Sequence, residues 1–128
     1  MISVQVASNH SRYGQDISIR HLNLAADEPP SLGGDDVGPT PTELVLAGLG
    51  SCKAITLQMY AERKGWKLES VAVELSYDSA VQQPTIQAKL SLRGDLDEKQ
   101  RQRLRDISDR CPVHKLLTTS VAIQTQLT

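Results

Sequence analysis

The chain predicts an α+β fold, antiparallel β-hairpins around one long central helix, on three observations. Segments in which apolar and polar residues alternate occur in pairs separated by turn-forming residues, the mark of hairpins. One long apolar stretch between them is bounded by a helix start at Thr40 and a stop at Gly65. Two further helix starts, at Asp97 and Pro112, follow the second hairpin. The resulting order, ββ-α-ββ-αα-β, has the strands paired locally and is α+β. The 128 residues fit one domain, 1–128, with no repeat or linker. A chain of this size buries roughly two-thirds of its unfolded surface and needs no disulfide to fold.

The elements follow in order. Val4 and Val6, then Ile17 and Ile19, alternate with polar residues across the turn-rich stretch Asn9 to Gly14, so residues 2–22 read as a hairpin. Asp27 to Pro41 contains four Pro and three Gly and reads as a loop. Its 15 residues are long for a structureless connection, a length typical of functional or disordered segments. Thr40 as N-cap, Pro41 at the first helical position and Glu43 two residues later make a capping box. The helix they open runs to about Lys64, with Gly65 as its left-handed stop. Its first half is apolar on every side, which predicts a buried central helix. Gly48 and Gly50 inside it each cost up to about 1 kcal/mol relative to Ala, tolerable where another backbone packs close.

Val71, Val73, Leu75 and Tyr77 form one strand, and Ile86, Ala88, Leu90 and Leu92 its partner. Asp97 and Gln100 form a second capping box, opening a charged helix to about Asp109. Leu104 and Ile107 give that helix a narrow apolar stripe, so it lies on a surface. Pro112 starts a short helix through Leu117, and Val121, Ile123 and Leu127 predict a final strand.

Composition excludes several functions. The 14 basic and 15 acidic residues leave a net charge of −1, with no basic field for nucleic acid or an anionic membrane. Aromatics are 3% with no Phe, which argues against base-stacking platforms. The longest unbroken apolar stretch, Leu44 to Cys52, is too short to span a bilayer. The N-terminus lacks the basic and apolar regions of a signal peptide, so a cytoplasmic location and reduced thiols are expected. There is no P-loop, dinucleotide-binding glycine pattern, HExxH or G-x-S-x-G.

The chemistry-bearing residues are two cysteines, 59 positions apart. Cys52 is flanked on its helix by Gly48, Leu49, Ile55, Thr56 and Met59, an apolar face whose burial raises a thiol pKa. It is either an inert core residue or a reactive thiol served by a cation brought from elsewhere; Lys53, Arg12, Arg20 and Arg110 are the candidates. Cys111 stands at the start of the short helix, where backbone N–H groups favour a thiolate, and Arg110 precedes it. Helix physics alone makes Cys111 the more acidic thiol; the alternative is a half-buried cap. Cys111-x-x-His114 with Cys52 also supplies three ligands of a Cys₂His zinc site, a weak signal without a second pair. His10 and His21 read as turn or strand surface residues.

Several segments together resemble the OsmC/Ohr family, the osmotically inducible protein C and organic hydroperoxide resistance proteins. They are His21 to Pro29, Gly33-Gly34, Gly38-Pro39-Thr40-Pro41, Glu43 to Cys52, Met59 to Trp66, Gly94 to Asp97, and Cys111-Pro112-Val113-His114. The likeness covers nearly the whole chain in order. It implies an OsmC-like α+β fold built as an intertwined homodimer with sites at the dimer interface. It implies a thiol-dependent peroxidase without a cofactor or metal, in which Cys52 is the peroxidatic and Cys111 the resolving cysteine. An external dithiol is the implied reductant and an organic hydroperoxide the implied substrate. Arg12 is the nearest match to an Arg that stabilises the thiolate.

The chain departs from the hydroperoxide-resistance pattern at three points. Members carry a Glu immediately after the Pro that matches Pro41; here Thr42 takes that place and Glu43 follows. One step turns a side chain about 100° around a helix, so Glu43 is either a catalytic residue or a cap. His114 replaces a Ser, and a candidate role for it is to tune a thiol or act as a base. Phe, common in those pockets, is absent. The competing function is a non-enzymatic module binding an apolar ligand at the dimer interface, or a redox sensor; a zinc-stabilised domain is the third.

Overall fold

The computed structural model describes residues 1–128. The chain packs as two compact units, Met1–Val45 and Leu46–Thr128.

The first unit holds a three-stranded antiparallel sheet in the order β1-β2-β3: β1 Gln5–Ser8, β2 Gln15–Ile19 and β3 Leu22–Ala26. The expected hairpin is β1–β2, with Val6 opposite Ile17. Asn9 organises its turn, accepting hydrogen bonds from the Ser11 N–H and hydroxyl at 3.2 and 2.6 Å. The third strand extends the expected pattern. β2 turns into β3 through Arg20 and His21, with Arg20 at φ 54° and Ile19 paired to Leu22. No glycine marks this turn, which hides the strand in the sequence.

The Asp27–Pro41 segment is ordered rather than structureless. Asp27, 2% exposed, accepts hydrogen bonds from the backbone N–H groups of Glu28, Asp35 and Val37 at 2.7, 3.3 and 3.3 Å. One carboxylate thereby satisfies three loop donors, and a single 3₁₀ turn at Pro30–Leu32 completes the path.

Helix α1 spans Pro41–Lys64. Its capping box forms as expected: the Glu43 N–H donates to Thr40 Oγ1 at 3.2 Å and the Thr40 N–H to Glu43 Oε1 at 2.8 Å. At the other end Gly65, φ 68°, and Trp66 donate to the carbonyls of Glu62 and Ala61, closing a Schellman motif. By length and composition α1 is apolar enough to cross a membrane, a test that core helices of soluble proteins also pass.

In the second unit β4 Lys67–Tyr77 and β5 Ile86–Asp95 form a long hairpin. Its register sets Val71 opposite Leu92, Val73 opposite Leu90 and Tyr77 opposite Ile86, so the apolar residues share one face. Helix α2, Glu98–Ser108, has its capping box at Asp97 and buries Leu104 and Ile107 with Leu57 and Ala61 of α1. Leu68, Val71, Leu90 and Leu92 pack against that cluster. The short helix α3 spans Pro112–Thr118.

Two expectations are corrected. Helix α1 is not buried all round: Val45, Ile55 and Met59 are 46%, 50% and 62% exposed, and Gly48 has open space beside it. One chain supplies one covering layer, and only Leu49, Gly50, Lys53, Leu57 and Ala61 lie under it. Of the two glycines, only Gly50 has a close neighbour, Leu75. The final strand is absent: residues 119–128 form no ladder, and Ile123 and Leu127 are fully or nearly fully exposed. An alternating segment becomes a strand only on a free sheet edge, and this chain pairs none with it.

Candidate active site

Helix α1 positions Cys52 and Lys53 as neighbours on different faces. Cys52 is half-buried on the flank of the exposed stripe, and Lys53 is 3% exposed on the covered face. A lysine in the middle of an apolar helix is tolerated only with its ammonium paired. Lys53 Nζ donates to the Ser108 carbonyl at 3.0 Å, to His114 Nδ1 at 3.0 Å and to Asp109 Oδ1 at 3.4 Å. Three hydrogens meet three acceptors.

Those acceptors come from the α2–α3 junction. Asp109 ends α2, and Arg105 one turn earlier donates to its Oδ2 at 2.8 Å. Arg105 first, with Lys53 adding, holds the Asp109 carboxyl below the ordinary carboxylate range. Pro112 then sets the first turn of α3, leaving Cys111 as its N-cap in extended conformation.

Cys111 is fully buried, and its sulfur accepts the His114 N–H at 3.3 Å. The expectation that Cys111 is the more acidic thiol is overturned. Burial pushes its pKa up, outweighing the lowering by the His114 amide and by the Lys53 charge. Cys52 lies close enough to raise it further. Both thiols are free. The fold therefore brings near each other the two cysteines that the sequence holds far apart, with the buried Lys53 charge close enough to act on Cys111.

His114 tunes Cys111 through its backbone amide, while its ring faces Lys53 and Asp109, 3.8 Å from Asp109 Oδ1. No cluster of three His, Cys, Asp or Glu side chains gathers as metal ligands, so Cys52, Cys111 and His114 do not assemble as the zinc trio. A cavity of about 600 Å³ borders this polar cluster, lined by Lys53, His114 and Arg105 with Leu49, Tyr77 and Leu117. Neither cysteine lines it.

Arg12 and Glu43 belong to the first unit. Arg12 sits in the β1–β2 turn, its guanidinium 5.0 Å from the Tyr13 ring centroid. Glu43 is exposed and engaged in the α1 cap; the Thr40 amide is the chief cause that lowers its pKa. The residues that sequence reasoning missed are Ser108, Asp109 and Arg105. The available signal was Lys53 itself, a charge inside an apolar helix that required acceptors.

Comparison with known proteins follows the same lines. The family model described as OsmC-like protein matches residues 33–126. No curated protein matches the sequence. Among solved structures, the chain is similar to a putative osmotic stress induced and detoxification response protein from Psychrobacter arcticus (TM-score 0.78, 17% identity, 91% of this chain and 88% of that one). It is also similar to an OsmC-like protein from Mycoplasma pneumoniae (TM-score 0.77, 19% identity, 91% and 86%). The organic hydroperoxide resistance protein OhrB of Bacillus subtilis is a third (TM-score 0.61, 20% identity, 92% and 90%). At these identities the likeness is one of fold.

Proposed function

The chain belongs to the family of OsmC-like proteins, and from that premise we propose that it is a thiol-dependent peroxidase acting on organic hydroperoxides. The arrangement that carries the proposal is two free thiols near enough to act on each other, with a buried, fully hydrogen-bonded lysine ammonium whose charge reaches Cys111. In this reading the Cys52 thiolate attacks one peroxide oxygen. The O–O bond breaks, an S–O bond forms, and the alkoxide leaves as the alcohol after taking a proton. Cys52 is now a sulfenic acid. The Cys111 thiol displaces the sulfenic oxygen as water and closes a Cys52–Cys111 disulfide. An external dithiol reduces that disulfide by exchange and is itself oxidised.

The division of labour follows from exposure. Cys52 is the accessible sulfur and Cys111 the enclosed one, its pKa raised by burial, so it stays a thiol until Cys52 is oxidised. Lys53 supplies a cation, and Arg12, by family resemblance, is a second. Glu43 completes the proposed set by resemblance, although its cap bonds alone account for its placement. The working form is a homodimer. Val45, Gly48, Ile55 and Met59 lie along the uncovered face of α1, an apolar stripe of the kind that a second copy covers, with Cys52 on its flank. Its setting is the cytoplasm, where dithiol reductants keep such pairs reduced.

The cavity beside Lys53 favours a second reading, an OsmC-like module that binds a small ligand without turning it over. Steady-state consumption of an organic hydroperoxide with an excess dithiol separates the two. Turnover that Cys52→Ser abolishes, and that stalls in Cys111→Ser with a trappable sulfenic acid, supports the enzyme. Consumption no faster than the dithiol alone rejects it.

A further inference from the structure

We propose that His114 is a positioning residue whose imidazole holds the Lys53 ammonium beside the cysteine pair; this rests on the reading that Cys52 is the reactive thiol. A buried ammonium carries three hydrogens and is costly to leave with one unmade. Ser108 and Asp109 accept two of them, and the third goes to His114 Nδ1 at 3.0 Å. Nδ1 accepts only with its lone pair free, which assigns the neutral imidazole with its proton on Nε2. The backbone that carries the ring is itself held in place. The His114 N–H donates to Cys111 Sγ at 3.3 Å, and the His114 carbonyl accepts from Thr118 Oγ1 at 2.8 Å. One residue thus contacts the sulfur of Cys111 with its backbone and the buried cation with its ring. The groups that face it are Lys53 from α1, Asp109 with its partner Arg105 from α2, Tyr77 across the cavity from β4, and Cys111 at its own helix start.

Lys53 and His114 both line the cavity of about 600 Å³, which gives the ammonium an alternative place to go. With the ring removed, the unpaired hydrogen turns toward that space and the charge leaves the thiols. An Asn at position 114 sets an amide oxygen close to where Nδ1 stands; a Leu of similar bulk sets none.

The experiment is site-resolved alkylation of Cys52 by iodoacetamide, on the fully reduced protein, as a function of pH. His114→Leu is expected to slow alkylation near neutral pH about tenfold, the equivalent of one unit in thiol pKa, with the whole profile displaced upward. His114→Asn is expected to restore it to near the parent rate. The ¹⁵N resonances of His114 in the unmodified protein are expected to show Nδ1 without a proton. A His114→Leu profile that overlays the parent, a His114→Asn variant as slow as His114→Leu, or a proton on Nδ1 each overturns the proposal. Should His114→Leu fail to fold, the His114→Asn rate and the resonances still decide it. Alkylation uses no peroxide, so a protein inert to hydroperoxide with a displaced profile rejects the peroxidase and leaves this inference standing. An unmoved profile in an active peroxidase does the reverse.

Discussion

Lys53 is a charged residue with 3% of its surface exposed, in the middle of an apolar helix, and the site is organised around its three acceptors. In the sequence it was one of four candidate cations; its burial and its three acceptors single it out, and sequence carries neither. Cys111 makes the converse point. Its position at a helix start was legible, and so was the pull of that position toward a thiolate. Its burial was not legible, and burial wins. Asp109 carries a prediction at this scale. Its folded pKa lies below its unfolded one, chiefly through Arg105, so its contribution to stability is present above the unfolded value and fades as pH falls through the folded one. Asp109→Asn is therefore expected to be less stable than the parent near neutral pH, the gap closing below about pH 4. Urea midpoints across that range check it; a gap of constant size contradicts it.

Among the elements, those with strong local signals were legible almost to the residue. Thr40 and Glu43 cap α1, Gly65 ends it, and Asp97 with Gln100 caps α2, each by the bonds that the residue types imply. What local pattern could not give was the partner of each face. The β2–β3 turn lacks a glycine and hid a strand, whereas the alternation of Val121, Ile123 and Leu127 promised a strand that pairs with neither sheet. The cluster of Leu57, Ala61, Leu104 and Ile107 holds α2 to α1 and so places the Ser108–His114 junction under Lys53. Leu104 is completely buried. Leu104→Ala is expected to cost about 3 kcal/mol in chemical denaturation, transfer and cavity terms together. It should also loosen the junction, so that peroxide turnover falls before the protein unfolds; unchanged stability would show that the cluster does not fasten α2.

At the scale of the whole molecule, the uncovered stripe of α1 is a feature that one chain leaves unexplained. The sequence, apolar on every side in the first half of this helix, predicted a buried central helix, and within one chain Val45, Ile55 and Met59 are exposed. A homodimer that packs the two stripes together resolves the mismatch and explains a glycine with open space beside it. Gly48→Leu should then leave the isolated chain at least as helical, since Leu is the better helix former by roughly 1 kcal/mol. It should weaken self-association at least tenfold in sedimentation equilibrium. A parent that is monomeric at high concentration, or a variant that dimerises as well as the parent, removes the stripe from the account.

The central claim is that Cys52 and Cys111 act on a peroxide as a pair, and intact mass tests it most directly. After one equivalent of an organic hydroperoxide, the reduced protein should lose about 2 Da, the two hydrogens of an intramolecular disulfide. Peptide mapping should join Cys52 to Cys111, and Cys52→Ser should show no loss. An unchanged mass in the parent, or a gain of oxygen on Cys52 that Cys111 never resolves, would contradict it.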